Sequence, residues 1–219
     1  SNRESLRDLI VALDAHHTKS YHLGLGKNIS KSSLARANQD RDYHIFEEYA
    51  YYLVSEARQK RVSDIFKLEG NVYAFDSTTI DLCLSVFWWA KFRKKKGGIK
   101  VNTLYDVETQ IPAFFHITEA SVHDSTAMKD IPYESGSYYI FDRAYNHFKM
   151  LYKTHQIGAF FVVRAKKNLQ YKIIKWKRRL SKNVLSDVTI ELTGFYPKQY
   201  YPEHLRLVRY WDEEQKREF

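Results

Sequence analysis

Val72-Tyr73-Ala74-Phe75-Asp76 has a counterpart further along the chain, Tyr138-Tyr139-Ile140-Phe141-Asp142. Each is a short apolar run that ends in an aspartate. An apolar run without polar alternation predicts a strand buried on both faces. In α/β sheets, ligands gather at the carboxyl ends of the strands. If these two strands are parallel neighbours, both carboxylates meet at one end of the sheet. Two carboxylates that close repel each other and favour a cation between them. Oxygen-only ligands suit Mg2+ or Mn2+, and such a pair is how metal ions are held where water attacks a phosphodiester. A lone Asp after a strand has a plainer reading, as a turn or a helix cap, and Ser77 and Thr78 fit that reading of Asp76. The matched pair favours the cation.

Gly97-Gly98 leads into a second strand over 99–105. A polar turn over 106–110 leads to a third over 111–117, where Pro112 marks an edge position. Asp124 or Ser125 is read as the cap of a short helix. After the strand 138–141 comes a helix with Phe148, Leu151, Tyr152 and His155 on one face, stopped by Gly158. A fifth strand occupies 159–163. The order β-β-β-α-β-α-β predicts an α/β fold with a mixed five-stranded sheet flanked by helices. Beyond Arg164 the pattern is less clear, but short runs over 184–210 read as β-structure, and 212–218 as a turn or strand edge.

Upstream of residue 70 the pattern is helical. A first helix starts at Ser5, a capping-box serine, and Ser30 caps a helix over 31–39. A longer helix over 42–61 carries Phe46, Tyr49, Ala50, Leu53 and Ala57 on one stripe and Tyr51, Tyr52 and Val54 off it. That predicts burial on more than one side. The last two helices read equally as a DNA-reading helix-turn-helix or as a bundle that packs on the sheet.

Composition narrows the class. The chain has 219 residues, 44% of them hydrophobic and 16% aromatic, which excludes a disordered chain. Its net charge of +9 favours polyanionic partners, nucleic acid before an anionic membrane surface. One cysteine, Cys83, excludes an internal disulfide and a Cys-rich zinc site, and points to a reducing compartment. No run approaches the ~18 apolar residues of a membrane span. The charge is clustered. Lys91, Arg93, Lys94, Lys95, Lys96 and Lys100 follow Trp88-Trp89, with Gly97 and Gly98 allowing close approach to phosphate. A second run holds Arg164, Lys166, Lys167, Lys172, Lys175, Lys177, Arg178, Arg179 and Lys182, interleaved with Tyr171 and Trp176, which suits base stacking. Both runs also fit a solvated charged face. Arg143 and Tyr145, just after the second Asp, are placed to touch a DNA phosphate. His123 reads as a structural histidine near the site, and Cys83 as core.

Several segments in this order resemble one family. Phe75-Asp76-Ser77-Thr78-Thr79-Ile80, Lys100 to Asp106, Val122-His123-Asp124, Phe141-Asp142-Arg143-Ala144-Tyr145 and Gly158 to Lys166 look like the ribonuclease-H-like catalytic domain of bacterial insertion-sequence transposases, the DDE enzymes of the IS-four group. Leu34 to Asn38 and Arg41-Asp42-Tyr43 resemble their helical DNA-contacting segment. The resemblance implies that Asp76 and Asp142 are the first two metal-binding acids. It implies cleavage and strand transfer at insertion-sequence ends with Mg2+ or Mn2+, acting on double-stranded DNA as a homodimer, in the bacterial cytoplasm beside the nucleoid. It further implies a third acid, a Glu within Tyr-Arg-Glu-Lys on a later helix. No such spacing follows Arg164, so the chain is expected to be an inactive fragment. The domains expected are a helical segment 1–69, a partial catalytic core 70–183 and the start of a β-rich insertion 184–219. A nuclease of the same fold and a non-catalytic DNA-binding remnant are the alternatives.

Overall fold

The computed structural model describes residues 5–25, 29–60, 66, 68–82, 91–93 and 96–219. Two compact units divide at 56/57. The first is helical, with α1 (Leu6–Ala15), α2 (His17–Ser20), α3 (Lys31–Asp40) and most of α4 (His44–Lys60). Ser5 caps α1 by accepting from the Asp8 amide, and Ser30 caps α3 by accepting from Ser33. The aromatic stripe of α4 is not buried as expected: Phe46, Tyr49 and Leu53 are 55%, 59% and 47% exposed. Short helices in so small a unit offer too little chain to cover two sides of a seventeen-residue helix. No helix among the described residues is long and apolar enough to cross a membrane.

The second unit is built on the mixed sheet that the sequence predicts. Its strands are β1 (Val72–Leu82), β2 (Lys91–Arg93), β3 (Lys96–Asp106), β4 (Ile111–Glu119), β5 (Tyr138–Phe141) and β6 (Phe160–Val163). β3 lies antiparallel between β1 and β4, while β5 pairs parallel to β1 and β6 parallel to β5. The short strand β2, absent from the sequence reading, adds to β3. The core five strands flanked by α5 (Asp124–Ala127) and α6 (Phe148–Gln156) form a ribonuclease-H-like α/β fold.

Three details differ from expectation. β1 runs seven residues past Phe75, because its ladder with β3 continues from Asp76↔Thr103 to Leu82↔Gly97 after burial has ended. Hydrophobic pattern reports burial; it is blind to pairing between exposed residues. The runs at β5 and β6 are also covered on one face only: Tyr139 and Phe141 are buried, while Ile140, Phe160 and Val162 are 37%, 52% and 60% exposed. Finally, neither Asp124 nor Ser125 caps α5. The cap is His123, whose Nδ1 accepts from the Ser125 amide.

The core under β1 and β5 is aromatic. Tyr73, Phe75, Tyr139, Phe141 and Tyr145 are each at most 2% exposed, and Phe75 meets Tyr145 edge-on with centroids 5.3 Å apart. Each such ring contributes about 2–3 kcal/mol on leaving water. A second sheet follows, in the order β10-β9-β8-β7, from β7 (Tyr171–Trp176), β8 (Val184–Leu192), β9 (Leu205–Asp212) and β10 (Arg217–Glu218), with α7 (Phe195–Tyr200) between β8 and β9. Val188, Ile190 and Leu192 of β8 are buried in the same core as Tyr139 and Leu151.

Candidate functional site

Register brings the two aspartates together. Phe75 pairs with Phe141, and Phe141 with Val163. The next residue on each strand is Asp76, Asp142 and Arg164, so these three form one row at the carboxyl end of the parallel strands. All three are exposed, and the Arg164 Nη1 lies 4.0 Å from the Asp142 Oδ1. At the other end the same three strands start from Gly70, Gly136 and Gly158. The Gly136 amide donates to the Gly158 carbonyl at 2.8 Å, and a Cβ on Gly70 would meet the Gly136 carbonyl oxygen at 2.1 Å.

The row is held from behind. The Ser77 amide donates to Asp76 Oδ1 at 2.8 Å. Asn146 Nδ2 donates to the carbonyls of Arg143 (3.1 Å) and Arg164 (2.6 Å), tying the turn after Asp142 to the next strand. Tyr145, expected at the surface beside a phosphate, is 1% exposed under the row, because its ring completes the cluster of Phe75 and Phe141. Its hydroxyl has no hydrogen-bond partner among the described residues. Burial, helped by the charges of Asp76, Asp124 and Asp142, pushes it up to about 12, and Ser77 is near enough to temper the rise.

Asp124 is the residue that sequence reasoning missed. Its Oδ1 accepts from Ser77 Oγ at 3.2 Å and pairs with the Lys100 ammonium at 2.8 Å. Lys100 also donates to the Val122 carbonyl at 2.7 Å. Its side chain is 14% exposed, so this cation is engaged within the protein. The signal was the Val122-His123-Asp124 segment, but a cap and an ion pair to a distant strand look alike in one dimension.

Of the other cations singled out, Lys166 and Lys167 are exposed, and Arg143 is half-buried with an Nε that has no partner among the described residues. Lys91, Arg93 and Lys96 lie on β2 and β3, and Lys94 and Lys95 fall outside the described residues, as do Cys83, Trp88 and Trp89. A groove of about 510 Å³ begins at Asn146 and is lined by Lys149, Lys166, Asn168, Phe195 and Tyr196 among others.

Asp76 and Asp142 fit a hard divalent cation: two neighbouring exposed carboxylates with oxygen donors only. Among the described residues, no three His, Cys, Asp or Glu side chains are arranged to hold a metal ion together.

Comparison with known proteins agrees with this architecture. Residues 67–217 match the family described as "Transposase DDE domain". The chain is 32% identical over 169 residues to "Putative transposase y4zB" of Sinorhizobium fredii, covering 74% of this chain and 46% of that protein. It is 25% identical over 165 residues to "Probable transposase for insertion sequence element IS5377" of Geobacillus stearothermophilus, covering 74% of this chain and 43% of that one. The chain thus spans less than half the length of these curated relatives. No solved structure matches.

Proposed function

The chain belongs to the DDE transposase family, and from that premise we propose that it carries part of the catalytic domain of an insertion-sequence transposase, cutting and rejoining DNA with Mg2+ or Mn2+. The observation that supports this most is the row: parallel register sets Asp76 and Asp142 side by side where a phosphodiester is able to approach from solvent. When bound, the divalent ion would supply Lewis acidity at the phosphoryl oxygens and a more nucleophilic water. Asp76 and Asp142 hold it. Arg164 and Arg143, beside Asp142, counter the charge of the incoming phosphate. Tyr145 forms a rigid floor that fixes where both strands end.

Double-stranded DNA is the proposed partner, with the insertion-sequence ends and the target as its two forms, and two copies of the protein acting on paired ends. Lys91, Arg93, Lys94, Lys95, Lys96, Lys166 and Lys167 are the proposed phosphate contacts; Lys100 is left out because its ammonium is already engaged. The aromatic and basic groove at Asn146 adds a surface of the mixed character that nucleic acid favours. The site of action is the bacterial cytoplasm, beside the nucleoid.

Titration with Mn2+, followed by the electron paramagnetic resonance of the free ion, tests the reading. The chain should bind Mn2+, and Asp76→Asn or Asp142→Asn should each abolish binding. Unchanged binding in both variants would sink it.

A further inference from the structure

Asp124 brings a third carboxylate to the end of the sheet where Asp76 and Asp142 lie. It is joined to Asp76 through a single residue, since Ser77 donates its hydroxyl to Asp124 and its amide to Asp76. The buried Tyr145 hydroxyl, without a hydrogen-bond partner among the described residues, feels the charge of all three. Asp124 nevertheless does not complete a metal-binding trio. Its Oδ1 is taken by Lys100 and Ser77, while among the described residues its Oδ2 accepts no hydrogen bond. Lys100 in turn is fixed from two sides, by Asp124 and by the Val122 carbonyl, with little exposure. Held this way, the Lys100 ammonium is committed to Asp124 in this structure.

We propose that Lys100 is a positioning residue that holds Asp124 away from the cation site, leaving Asp76 and Asp142 as the pair that binds the divalent ion. The proposal rests on the reading that this pair holds such an ion. Three carboxylates facing one divalent ion would leave it over-neutralised and more tightly held. With Lys100 present, the charge facing the ion falls from three to two, which balances a single divalent cation. Without Lys100, the Asp124 carboxylate has lost its counter-ion and turns to the nearest positive charge.

Mn2+ titration of the 219-residue chain and its variants distinguishes the outcomes. Lys100→Gln should tighten Mn2+ binding roughly tenfold, the low end of what neighbours of a metal ligand change in affinity. Lys100→Arg should bind like the unaltered chain. Lys100→Gln combined with Asp124→Asn should return to the unaltered affinity. Binding by Lys100→Gln that is unchanged or weaker overturns the proposal. So does tightening that survives in the double variant, because the gained ligand is then not Asp124. If Lys100→Gln does not fold, as circular dichroism would show, Asp124→Asn decides: it should bind within about twofold of the unaltered chain, and lost binding would make Asp124 a ligand instead. Asp76→Asn and Asp142→Asn separate this question from the underlying one, since binding that survives in both removes the ion from this pair whatever Lys100 does.

Discussion

At the scale of single residues, Asp76 and Asp142 were legible because each closes an apolar run, and the runs repeat. Asp76→Ala and Asp142→Ala should abolish Mn2+ binding while leaving affinity for duplex DNA intact or higher, since each removes a negative charge from a surface that approaches phosphate; gel-shift titration beside the Mn2+ assay checks this, and a loss of DNA affinity would count against it. Tyr145 was not legible as core. It follows an aspartate and an arginine in a turn, and nothing in the string says that its ring turns under the sheet to meet Phe75. Its hydroxyl is buried without a partner among the described residues, a condition that costs about 1–3 kcal/mol. Tyr145→Phe is therefore expected to leave stability unchanged or raise it by about 1 kcal/mol in urea unfolding. A clear loss would mean that the hydroxyl has a partner after all. Asp124 escaped for another reason: its two partners, Ser77 and Lys100, sit on strands far back in sequence, and only the β1–β3 ladder brings them to it.

At the scale of elements, β7 and β8 sort the second basic run into two kinds of cation. Lys172 and Lys198 pair with Glu191 at 2.7 Å each, and Lys177 and Arg206 pair with the nearly buried Asp187 at 3.1 and 2.7 Å. Lys175, Arg178 and Arg179 make no ion pair among the described residues. Replacing these three with Ala should lower the salt slope of DNA binding by up to about three units, at roughly 0.9 per phosphate contact, whereas Lys172→Ala with Lys177→Ala should change it less. Equal slopes for the two sets, measured by fluorescence anisotropy across NaCl concentrations, would remove this face from the interface. Asp187 itself is held down to about 2, first by the Arg206 hydrogen bonds. Because its folded value is lowered from 3.8, its contribution to stability is present above pH 4 and fades as pH falls toward 2. Asp187→Asn should flatten the acid limb of a melting-temperature profile over that window; an identical limb would show that the pair contributes nothing. The strands that the sequence marked clearly were those with an apolar face toward the core. β7, exposed along its whole length, and the outer half of β1 owe their form to partners across the ladder, which no local pattern records.

At the scale of the whole molecule, the core is unusually phenolic. Burial raises Tyr133, Tyr145 and Tyr201 to about 12 and Tyr139 further still, from an ordinary 10.0. In each case the folded state favours the neutral phenol, so stability is complete below pH 10 and is lost as pH rises toward 12. Each tyrosine whose value is raised to about 12 withdraws on the order of 2–3 kcal/mol once the pH reaches 12. The protein is expected to unfold cooperatively in alkali, with tyrosinate absorbance appearing together with loss of circular dichroism. Phenols that ionise well before unfolding would contradict this. The sheet itself works as a ruler. Gly70 to Asp76, Gly136 to Asp142 and Gly158 to Arg164 are each six residues, so three strands that start level finish level. At about 3.3 Å per residue the two rows are roughly 20 Å apart, yet an error at one is copied to the other. A Cβ on Gly70 has no room against Gly136, so Gly70→Ala would shear β1 along its neighbours and mistime the arrival of Asp76 beside Asp142. Deleting one residue from β1 alone would turn Asp76 toward the core, whereas matched deletions in all three strands would shorten the ruler and keep its marks aligned.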